Sequence, residues 1–416
     1  MLQDRRKGLD QPLILFTALL IIPGVLTLYS AGQTDFPTIA TGMWTKQVTW
    51  IGLGIIGAVA VFRVPATILE WLTPFIYILA VGLLLLTLIV GTGAGTAASS
   101  KSWLAIGDVR IGQPAEFAKL ATILMLARHL GGKRDSPQTM FALGPAGLIV
   151  GIPFLLVGLQ PDLGSALVFL GIFFFVAFWV GVSPWIILLI ASPVVSLILT
   201  FSTRLWGAWI VGLTILLIWL RPFLFEAASV WTSNVIAGVV APRLWAGLAP
   251  YQKNRILSFL DPEVDPRATG WNIIQAKVAI GSGGLLGKGF TEGTQKRLAF
   301  LPAQHTDFIF PVLAEEFGFV GVLLIISLFM MFFLAVVRIA RQAVDPFATV
   351  VAAGIMGMLL THVIENIGMS VGLLPVTGIP LPFFSYGGSF MMITLISVGL
   401  LLRIAWDARY KGYLKG

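Results

Sequence analysis

Cysteine, histidine and charged residues are scarce in this chain. It has no cysteine among 416 residues, which excludes disulfides and any thiolate metal site. Its three histidines, His129, His305 and His362, are not spaced i,i+4, so a zinc site built by the protein alone is not expected. Only 11% of residues are charged, against about 25% in soluble domains. Since 57% are apolar, the composition indicates a membrane protein whose surface faces acyl chains.

The few charges are mostly positive. The formal net charge is +8, and no basic soluble domain is visible along the chain. The partners expected from this excess are therefore membrane lipids with anionic or phosphate-bearing headgroups, and not nucleic acid.

Long apolar runs dominate the chain. A membrane-spanning helix needs roughly 20 mostly apolar residues. The first run is longer than the apolar core of a signal peptide, so we interpret it as a retained span. Ten candidate spans lie at 11–31, 46–63, 71–91, 113–131, 140–159, 163–181, 184–202, 318–338, 347–372 and 384–404.

Two further apolar segments, roughly 205–220 and 222–247, precede the largest polar stretch. They either cross the membrane twice or form a re-entrant or interfacial hairpin. The sequence thus predicts an all-α polytopic membrane protein with a single domain over 1–416. It has about ten core transmembrane helices, an apparent inserted hydrophobic pair at 205–247, and a long extracytoplasmic loop at 248–317 before the last three spans.

Lysine and arginine in short loops indicate the orientation of a polytopic protein. If the spans alternate, the basic residues near their ends fall on one side, which predicts cytoplasmic termini in a bacterial cytoplasmic membrane. These residues are Arg5, Arg6, Lys7, Arg63, Arg128, Lys133, Arg134, Arg338, Arg341, Arg403, Arg409, Lys411 and Lys415. Long loops escape this rule, so the basic residues of 248–317 place positive charge beside the outer leaflet. They are Lys253, Arg255, Arg267, Lys277, Lys288, Lys296 and Arg297.

Ionisable residues begin two of the predicted spans. Glu116 and Lys119 in "QPAEFAKLA" are three residues apart, so they share a helix face and can pair. Either they form a structural ion pair, or they line a polar cavity in which Lys119 meets a phosphate. Asp162 in "LQPDLGSALV" precedes a span, where an aspartate commonly caps the helix. The alternative is an exposed carboxylate at the rim of a cavity.

Two glycine-rich stretches interrupt the polar and apolar segments. "GSGGLLGKG" (281–289) is not a phosphate-binding P-loop, because the spacing and the final Ser or Thr are wrong. It is a tight or flexible turn, or it brings backbone and Lys288 close to a phosphate. "NIGMSVGLLPVTGIPLPFFSYGGSFM" (366–391) contains Pro375, Pro380 and Pro382, which a spanning helix does not tolerate in its middle. We therefore expect a loop folded into the outer face.

The stretch "FLPAQHTDFIFPVLAEEFG" (300–318) places His305, Thr306 and Asp307 before an apolar run and Glu315 and Glu316 after it. Thr306 or Asp307 could cap the following helix. Asp307 and Glu315 are eight residues apart, which allows both to face one cavity. A carboxylate near lipid and near cations is also a candidate general base.

Five of these segments together resemble the SEDS family, the shape, elongation, division and sporulation proteins. They are "QPAEFAK", "QPDLGSALV", "RILSFLDPEVDPRATGWNIIQAKVAIGSGGLLGKGF", "FLPAQHTDFIFPVLAEEFGFVG" and "GIPLPFFSYGGS". The resemblance covers nearly the whole chain, and the five motifs occur in the same order as in the family. It implies a polytopic glycosyltransferase that polymerises peptidoglycan strands from lipid II at the outer face of the membrane. It also implies a class B penicillin-binding protein, a transpeptidase, as partner, together with other membrane proteins of the elongation complex.

The resemblance also implies roles for particular residues. The family's essential aspartate, in its His-Thr-Asp-Phe motif, corresponds to Asp307, the expected catalytic residue. Glu116, Lys119 and Asp162 match further family positions. The remaining candidates for substrate binding are Arg255, Lys288, His305, Glu315 and Ser385.

These residues suggest a mechanism and leave two alternatives. Asp307 would deprotonate an acceptor hydroxyl, and cations would stabilise the pyrophosphate leaving group. No cofactor is required, although a divalent cation, Mg²⁺ or Mn²⁺, could assist. A lipid II flippase would also contain broken helices, but it needs a polar path across both leaflets. A scaffold without chemistry would leave Asp307 replaceable.

Overall fold

The protein is a bundle of long helices in a computed structural model, which describes residues 8–93, 102–106, 109–132, 136–248, 250–261 and 269–413. Some basic residues used in the orientation argument lie outside the described residues or have side chains that are not described: Arg5, Arg6, Lys7, Lys133, Arg134, Arg267, Lys411 and Lys415.

The described helices and strands follow one another with short connections. The first seven helices are α1 (Gln11–Ala31), α2 (Met43–Phe62), α3 (Ala66–Val90), α4 (Pro114–Gly131), α5 (Gly144–Leu159), α6 (Leu163–Trp179) and α7 (Pro184–Leu199). The others are α8 (Thr203–Leu220), α9 (Leu224–Gly247), α10 (Pro250–Leu260), α11 (Thr269–Ser282), α12 (Thr294–Arg297), α13 (Ile309–Gln342), α14 (Pro346–Val371) and α15 (Gly388–Tyr413). Between α3 and α4 lie the antiparallel strands β1 (Leu104–Ile106) and β2 (Val109–Gly112).

The predicted architecture is confirmed. Within the described ranges, nine helical segments are long and apolar enough to cross a membrane: α1, α2, α3, α5 with its preceding turn, α8, α9, α13, α14 and α15. Helices α6 and α7 are apolar but shorter, and α4 carries Glu116, Lys119 and Arg128. These helices correspond to the ten predicted spans and the additional pair. The chain is a multi-pass helical membrane protein.

Helices α4 and α14 form the centre of the bundle. Helix α4 packs on α3 and α14, and α14 also packs on α6 and α13. Glycine lets these helices approach closely: a Cβ at Gly354 would lie 2.6 Å from a methyl carbon of Ile123, and one at Gly131 2.8 Å from the backbone nitrogen of Phe347. Small residues at such contacts are typical of membrane helices. Glu116 and Lys119 of α4, and His362, Glu365 and Asn366 of α14, are therefore enclosed by protein.

One end of the bundle, which we call the basic end, gathers arginines of three helices. Arg338 on α13 and Arg409 on α15 both pair with the fully buried Asp10, at 2.6 and 2.7 Å. Arg128 on α4 donates to the carbonyl oxygens of Glu70 and Trp71 at 2.6 and 3.3 Å. These contacts join the start of α1 to the ends of α13 and α15, and the end of α4 to the start of α3.

The additional pair, α8 and α9, packs at the periphery against α7. Asn234 on α9 donates to Ser192 of α7 at 2.7 Å and accepts from the indole nitrogen of Trp209 on α8 at 3.0 Å. Hydrogen bonds of this kind stabilise helix association where lipid offers no polar partner. Both helices have the length to span, and the interpretation of 205–247 as an insertion stays a prediction.

The segment 248–317, predicted as one long loop between spans, contains helices of its own. Helices α10, α11 and α12 lie within it, and α13 begins at Ile309 and not at residue 318. Helix α13 breaks at Gly318, whose φ of 64° and ψ of −165° are not helical. The break accommodates the glycine turn 283–287, because the backbone nitrogens of Phe319 and Val320 donate to the carbonyls of Gly284 and Leu285 at 2.9 and 3.1 Å.

The β1–β2 hairpin was not predicted. Its strands are only three and four residues long and lie on either side of residues 107–108, which the structure does not describe. The glycine at its end packs closely, since a Cβ at Gly112 would lie 2.8 Å from the hydroxyl of Ser389. The hairpin therefore leads directly into α4 beside the start of α15.

Replacing Gly318 by alanine is expected to destabilise the fold, because its backbone conformation favours glycine and a Cβ would lie 2.3 Å from the backbone nitrogen of Gly287. The strain alone costs about 1–3 kcal/mol, and we expect a lower unfolding temperature in detergent. The matched control is Gly281→Ala on α11, where a Cβ meets nothing within 4 Å. Equal unfolding temperatures for the two variants would contradict this account.

Candidate active site

The loop before α13 holds Asp307 without using it as a helix cap. The N-cap residue of α13 is Phe308, which makes no side-chain cap, so the capping interpretation of Thr306 and Asp307 is wrong. The turn is fixed by the backbone nitrogens of Thr306 and Phe308, which donate to the Ala303 carbonyl at 3.0 and 3.3 Å. The Asn366 amide donates to the Asp307 carbonyl at 2.9 Å. The carboxylate of Asp307 is therefore available for another role.

The proline-rich loop 372–387 packs against this turn, as predicted for a folded loop at one end of the bundle. The Ser385 hydroxyl donates to the Thr306 carbonyl at 2.6 Å and accepts from the Leu381 nitrogen at 2.8 Å. The Tyr386 nitrogen donates to the His305 carbonyl at 2.8 Å. Ser385 is fully buried, and both of these hydroxyl contacts go to backbone groups. It joins the two loops, which gives it a positioning role, and its contact with a substrate stays a prediction.

Asp307 lies beside Arg255 of α10. At Gly378, a Cβ would be 3.4 Å from Oδ2 of Asp307 and 3.9 Å from Nη2 of Arg255, so both side chains reach the same glycine. Burial raises the pKa of Asp307 above its usual range, the nearby Arg255 charge and a hydrogen bond with Thr306 lower it, and Asp162 raises it. Arg255 also donates to the Thr377 carbonyl at 3.4 Å. The result is a half-buried carboxyl group facing one guanidinium.

Asp162 caps α6 and also contacts the residue before α4, while a role at the rim of a cavity stays a prediction. Its Oδ1 accepts from the Ser165 nitrogen at 3.0 Å, which confirms the cap of α6. Its Oδ2 accepts from the side chain of Gln113 at 2.8 Å, immediately before α4. Its charge also acts on Asp307. The start of α6 is thereby placed beside the loop that carries the candidate base.

Glu116 and Lys119 form the predicted ion pair, and it is deeply buried. Nζ of Lys119 lies 2.7 Å from Oε1 of Glu116, with side-chain exposures of 0 and 5%. The same Nζ is 3.0 Å from Nε2 of His362, whose Nδ1 is 3.2 Å from the Pro380 carbonyl. Since Pro380 belongs to the proline-rich loop, the pair connects α4 to the loop that contacts Asp307.

Lys288 and Glu315 bind each other, apart from the Asp307 turn. Nζ of Lys288 is 2.7 Å from Oε1 of Glu315. The same carboxylate accepts from the backbone nitrogens of Thr294 and Gln295 at 2.9 and 3.1 Å. In the described contacts neither residue meets Asp307. The glycine stretch approaches the backbone of α13 closely, since a Cβ at Gly287 would lie 2.0 Å from the Glu316 carbonyl oxygen.

Sequence reasoning missed the polar residues that α14 contributes. Glu365 is 6% exposed, and its Oε2 has no hydrogen-bond partner among the described residues. The charges of Lys119 and Asp162 both act on its carboxyl group. The Asn366 amide donates to the Ile379 carbonyl at 2.7 Å as well as to Asp307. Polar residues inside an apolar span are a known signal of function. That signal was present in the "HVIEN" segment (362–366).

His305 completes the set of predicted residues. Burial lowers its pKa, so its neutral form is favoured at neutral pH. Its ring lies 6.2 Å from the Tyr386 ring, between their centroids. Among the described residues, no group of three or more potential metal ligands lies together.

The predicted residues thus divide into two groups. One surrounds the Asp307 turn, where the starts of α4 and α6, the end of α14 and helix α10 converge. It contains Asp307, Arg255, Asp162, His305 and Ser385, and the Glu116–Lys119 pair adjoins it through His362. Lys288 and Glu315 fasten the preceding segment to α13. The first group combines a carboxylate, a cation and a lipid-facing bundle, which suits proton abstraction from an amphiphilic substrate.

Comparisons with known proteins identify the family of the chain. The family model FTSW_RODA_SPOVE, described as "Cell cycle protein", matches residues 10–210 and 207–410. "Peptidoglycan glycosyltransferase MrdB" of Escherichia coli (strain K12) is 36% identical over 398 residues, covering 95% of this chain and 93% of the relative.

Solved structures show the same fold. A chain described under "Structural coordination of polymerization and crosslinking by a peptidoglycan synthase complex" matches with a TM-score of 0.70 and 28% identity, covering 96% of this chain and 98% of that one. The Thermus thermophilus Rod shape determining protein RodA matches with a TM-score of 0.61 and 27% identity, covering 96% and 97%. The chain therefore belongs to the FtsW, RodA and SpoVE family, the SEDS family that its motifs predicted.

Proposed function

We propose that this chain polymerises lipid II into β-1,4-linked glycan strands for cell elongation and rod shape. It is a peptidoglycan glycosyltransferase, as its relatives are named. The observation that carries the proposal is the Asp307 carboxyl group, held beside Arg255 where α4, α6 and α14 converge. An amphiphilic substrate can place its headgroup there while its polyprenyl chain stays in lipid.

In this reaction Asp307 is the general base. It takes the proton from the 4-hydroxyl of N-acetylglucosamine on the acceptor. The hydroxyl oxygen attacks the anomeric carbon of the donor from the face opposite the pyrophosphate. The new carbon–oxygen bond forms as the bond to the pyrophosphate breaks, which inverts the anomeric centre to β. Undecaprenyl pyrophosphate leaves with the bonding electrons.

Arg255 is the cation we assign to the leaving group. A guanidinium offers a fork of donors that suits phosphate. Lys119 is buried and already paired with Glu116, and Lys288 is paired with Glu315. Neither is as close to Asp307 in the described contacts. Arg255 therefore supports both the ionised base and the charge that develops on the pyrophosphate.

The described residues do not fit a protein-only site for a divalent cation. Mg²⁺ usually binds one or two carboxylates together with substrate phosphates. We propose that assistance by Mg²⁺ or Mn²⁺ would require the pyrophosphate of the bound substrate as an additional ligand. Polymer yield with EDTA and with each added cation tests it.

We also propose the orientation and the partner. The basic end faces the cytoplasm with both termini, following the preference of lysine and arginine for that side. The active site then opens at the outer face. A class B penicillin-binding protein crosslinks the product, a role consistent with the relative solved in a synthase complex that couples polymerisation and crosslinking.

The test is polymer formation from lipid II by the purified full-length chain with its class B partner in detergent, measured across pH. Activity is expected to fall as pH decreases through the raised pKa of Asp307, because only the carboxylate accepts a proton. Arg255→Gln removes a charge that lowers this pKa, so the acid limb of kcat/KM should move to higher pH, with a lower maximal rate.

Lys253→Gln is the matched control, since Lys253 lies two residues away on α10 and donates to the Ala246 carbonyl at 3.0 Å. Its acid limb should coincide with that of the wild type. Identical profiles for all three proteins would contradict the coupling of Arg255 to the base. If folded, partner-bound wild type made no polymer but translocated lipid II in vesicles, the result would favour a flippase.

A further inference from the structure

An apolar groove opens beside the basic end, far along the bundle from the Asp307 turn. Its volume is about 870 Å³, which lies within the range of about 300–1,000 Å³ typical of ligand pockets. Helices α1, α2 and α15 form its walls. Its apolar lining includes Ile14, Ile21, Ile55, Val59, Leu395 and Val398.

The groove follows from the way the three helices pack. Helix α2 packs tightly on α15, whereas α1 packs mainly on α13. At the α2–α15 contact a Cβ on Gly399 would lie 2.5 Å from the Ala58 carbonyl oxygen. The two helix pairs leave a space between α1 and α2 that is open to the side, since Ile14, Ile55 and Val59 are 41, 50 and 46% exposed.

Arginine side chains stand at the basic end of this groove. Arg63 follows α2 directly and is exposed, and within the described part of the chain its side chain makes no hydrogen bond or ion pair, although its backbone nitrogen donates to the end of α2. Arg403 pairs with Asp407 at 2.9 Å and donates to the Phe62 carbonyl at 3.3 Å. Arg63 therefore contributes a positive charge that no described acidic side chain neutralises.

Aromatic rings close the same end. The Trp406 ring packs edge-on against Phe62, with 5.9 Å between ring centroids. A Cβ on Gly8 would lie 2.3 Å from the Trp406 ring, so the chain before α1 crosses over it. Tryptophan is typical of the boundary between acyl chains and headgroups. The groove thus has an apolar body at acyl-chain depth and a cationic mouth at headgroup depth.

We propose that this groove binds one anionic glycerophospholipid, with its acyl chains between α1 and α2 and its phosphate on Arg63. An acyl chain supplies the contacts that the exposed isoleucines and valine lack, and a guanidinium binds phosphate oxygens in a forked geometry. A zwitterionic lipid also carries phosphate, but its ammonium would face Arg63 and Arg403. Charge complementarity therefore selects the anionic headgroup. The site is separate from the active site and does not depend on the proposed reaction.

Native mass spectrometry of the delipidated full-length protein tests the proposal. The probes are palmitoyl-oleoyl phosphatidylglycerol and the corresponding phosphatidylcholine, titrated in detergent. We expect one phosphatidylglycerol to bind preferentially. Arg63→Gln should weaken its binding about fivefold, the effect of one basic residue near an anionic lipid surface. Ala18→Trp should weaken the binding of both lipids, because the exposed Ala18 lines the groove and a larger side chain fills it.

Arg341→Gln is the matched control, because Arg341 is an exposed arginine near the same end but does not line the groove. It should bind phosphatidylglycerol like the wild type. Equal affinity of the wild type for the two lipids would overturn the proposal. Equal losses of phosphatidylglycerol affinity in Arg63→Gln and Arg341→Gln would also overturn it, because they would indicate binding by diffuse surface charge. Unchanged binding in Ala18→Trp would overturn it too, because the lipid would then lie elsewhere.

Discussion

Asp307→Asn is expected to reduce glycan polymerisation by about 10²–10⁴-fold, the usual contribution of a general base. The substitution keeps the size of the side chain and the contact between the Asp307 carbonyl and Asn366, since that contact uses the backbone. The substitution removes the ability to accept the substrate proton, together with the negative charge that faces Arg255. The measurement is the initial rate of polymer formation from fluorescent lipid II, with binding of lipid II followed separately.

Stability provides an independent readout for this variant. Burial raises the pKa of Asp307, so the charged form is disfavoured by its surroundings, and a neutral amide should not destabilise the fold strongly. A normal unfolding temperature with a low polymerisation rate would therefore indicate loss of the base, whereas a lowered unfolding temperature would indicate loss of the fold.

Asp35→Asn is the control, because Asp35 forms an exposed ion pair with Arg297 at 3.1 Å. Its polymerisation rate should equal that of the wild type. If Asp307→Asn retained a rate within a few fold of Asp35→Asn, the assignment of the base would be wrong. The base would then have to be sought among other carboxyl groups, such as Asp162, whose charge acts on Asp307, or Glu365, whose surroundings also include Asp162.

The helices could be predicted from the sequence because each depends on its own apolar length. Where the prediction failed, distant residues decide the outcome. The apolar span was expected to begin at residue 318, directly after the segment that holds Glu315 and Glu316. Helix α13 nevertheless begins at Ile309, since Lys288 and Lys296 from the preceding segment pair with those two carboxylates.

The candidate site was predictable in its motifs but not in its connections. Asp307 and Asp162 were identified separately, and their proximity follows from the packing of α6, α13 and α14. The role of Ser385 in joining two backbones could not be read from its type. Glu365 and His362 were missed because their partners on α4 are about 240 residues away in sequence, as for His362 and Lys119.

Lys296→Met is expected to cause the largest loss of stability. Lys296 Nζ lies 2.6 Å from Glu316 Oε1 and donates to the Ser30 carbonyl at 2.8 Å, and both side chains of the ion pair are fully buried. Burial lowers the pKa of Lys296, and Glu316 opposes this effect. Removing one partner of a buried pair leaves the other charge uncompensated, which costs about 3–5 kcal/mol.

The measurement is the unfolding temperature in detergent at a fixed scan rate, for the single variants and the double variant. Replacing both partners, in Lys296→Met with Glu316→Leu, should cost less than Lys296→Met alone, because no unpaired charge remains.

Arg297→Met is the matched control: its ion pairs are with the exposed Asp35 and Glu292, and such pairs contribute at most about 1 kcal/mol. If Lys296→Met and Arg297→Met lowered the unfolding temperature equally, the buried pair would not be what fastens α12 to α1 and α13. A double variant as unstable as the single would indicate that the packing of the Lys296 stem, and not its charge, stabilises this junction.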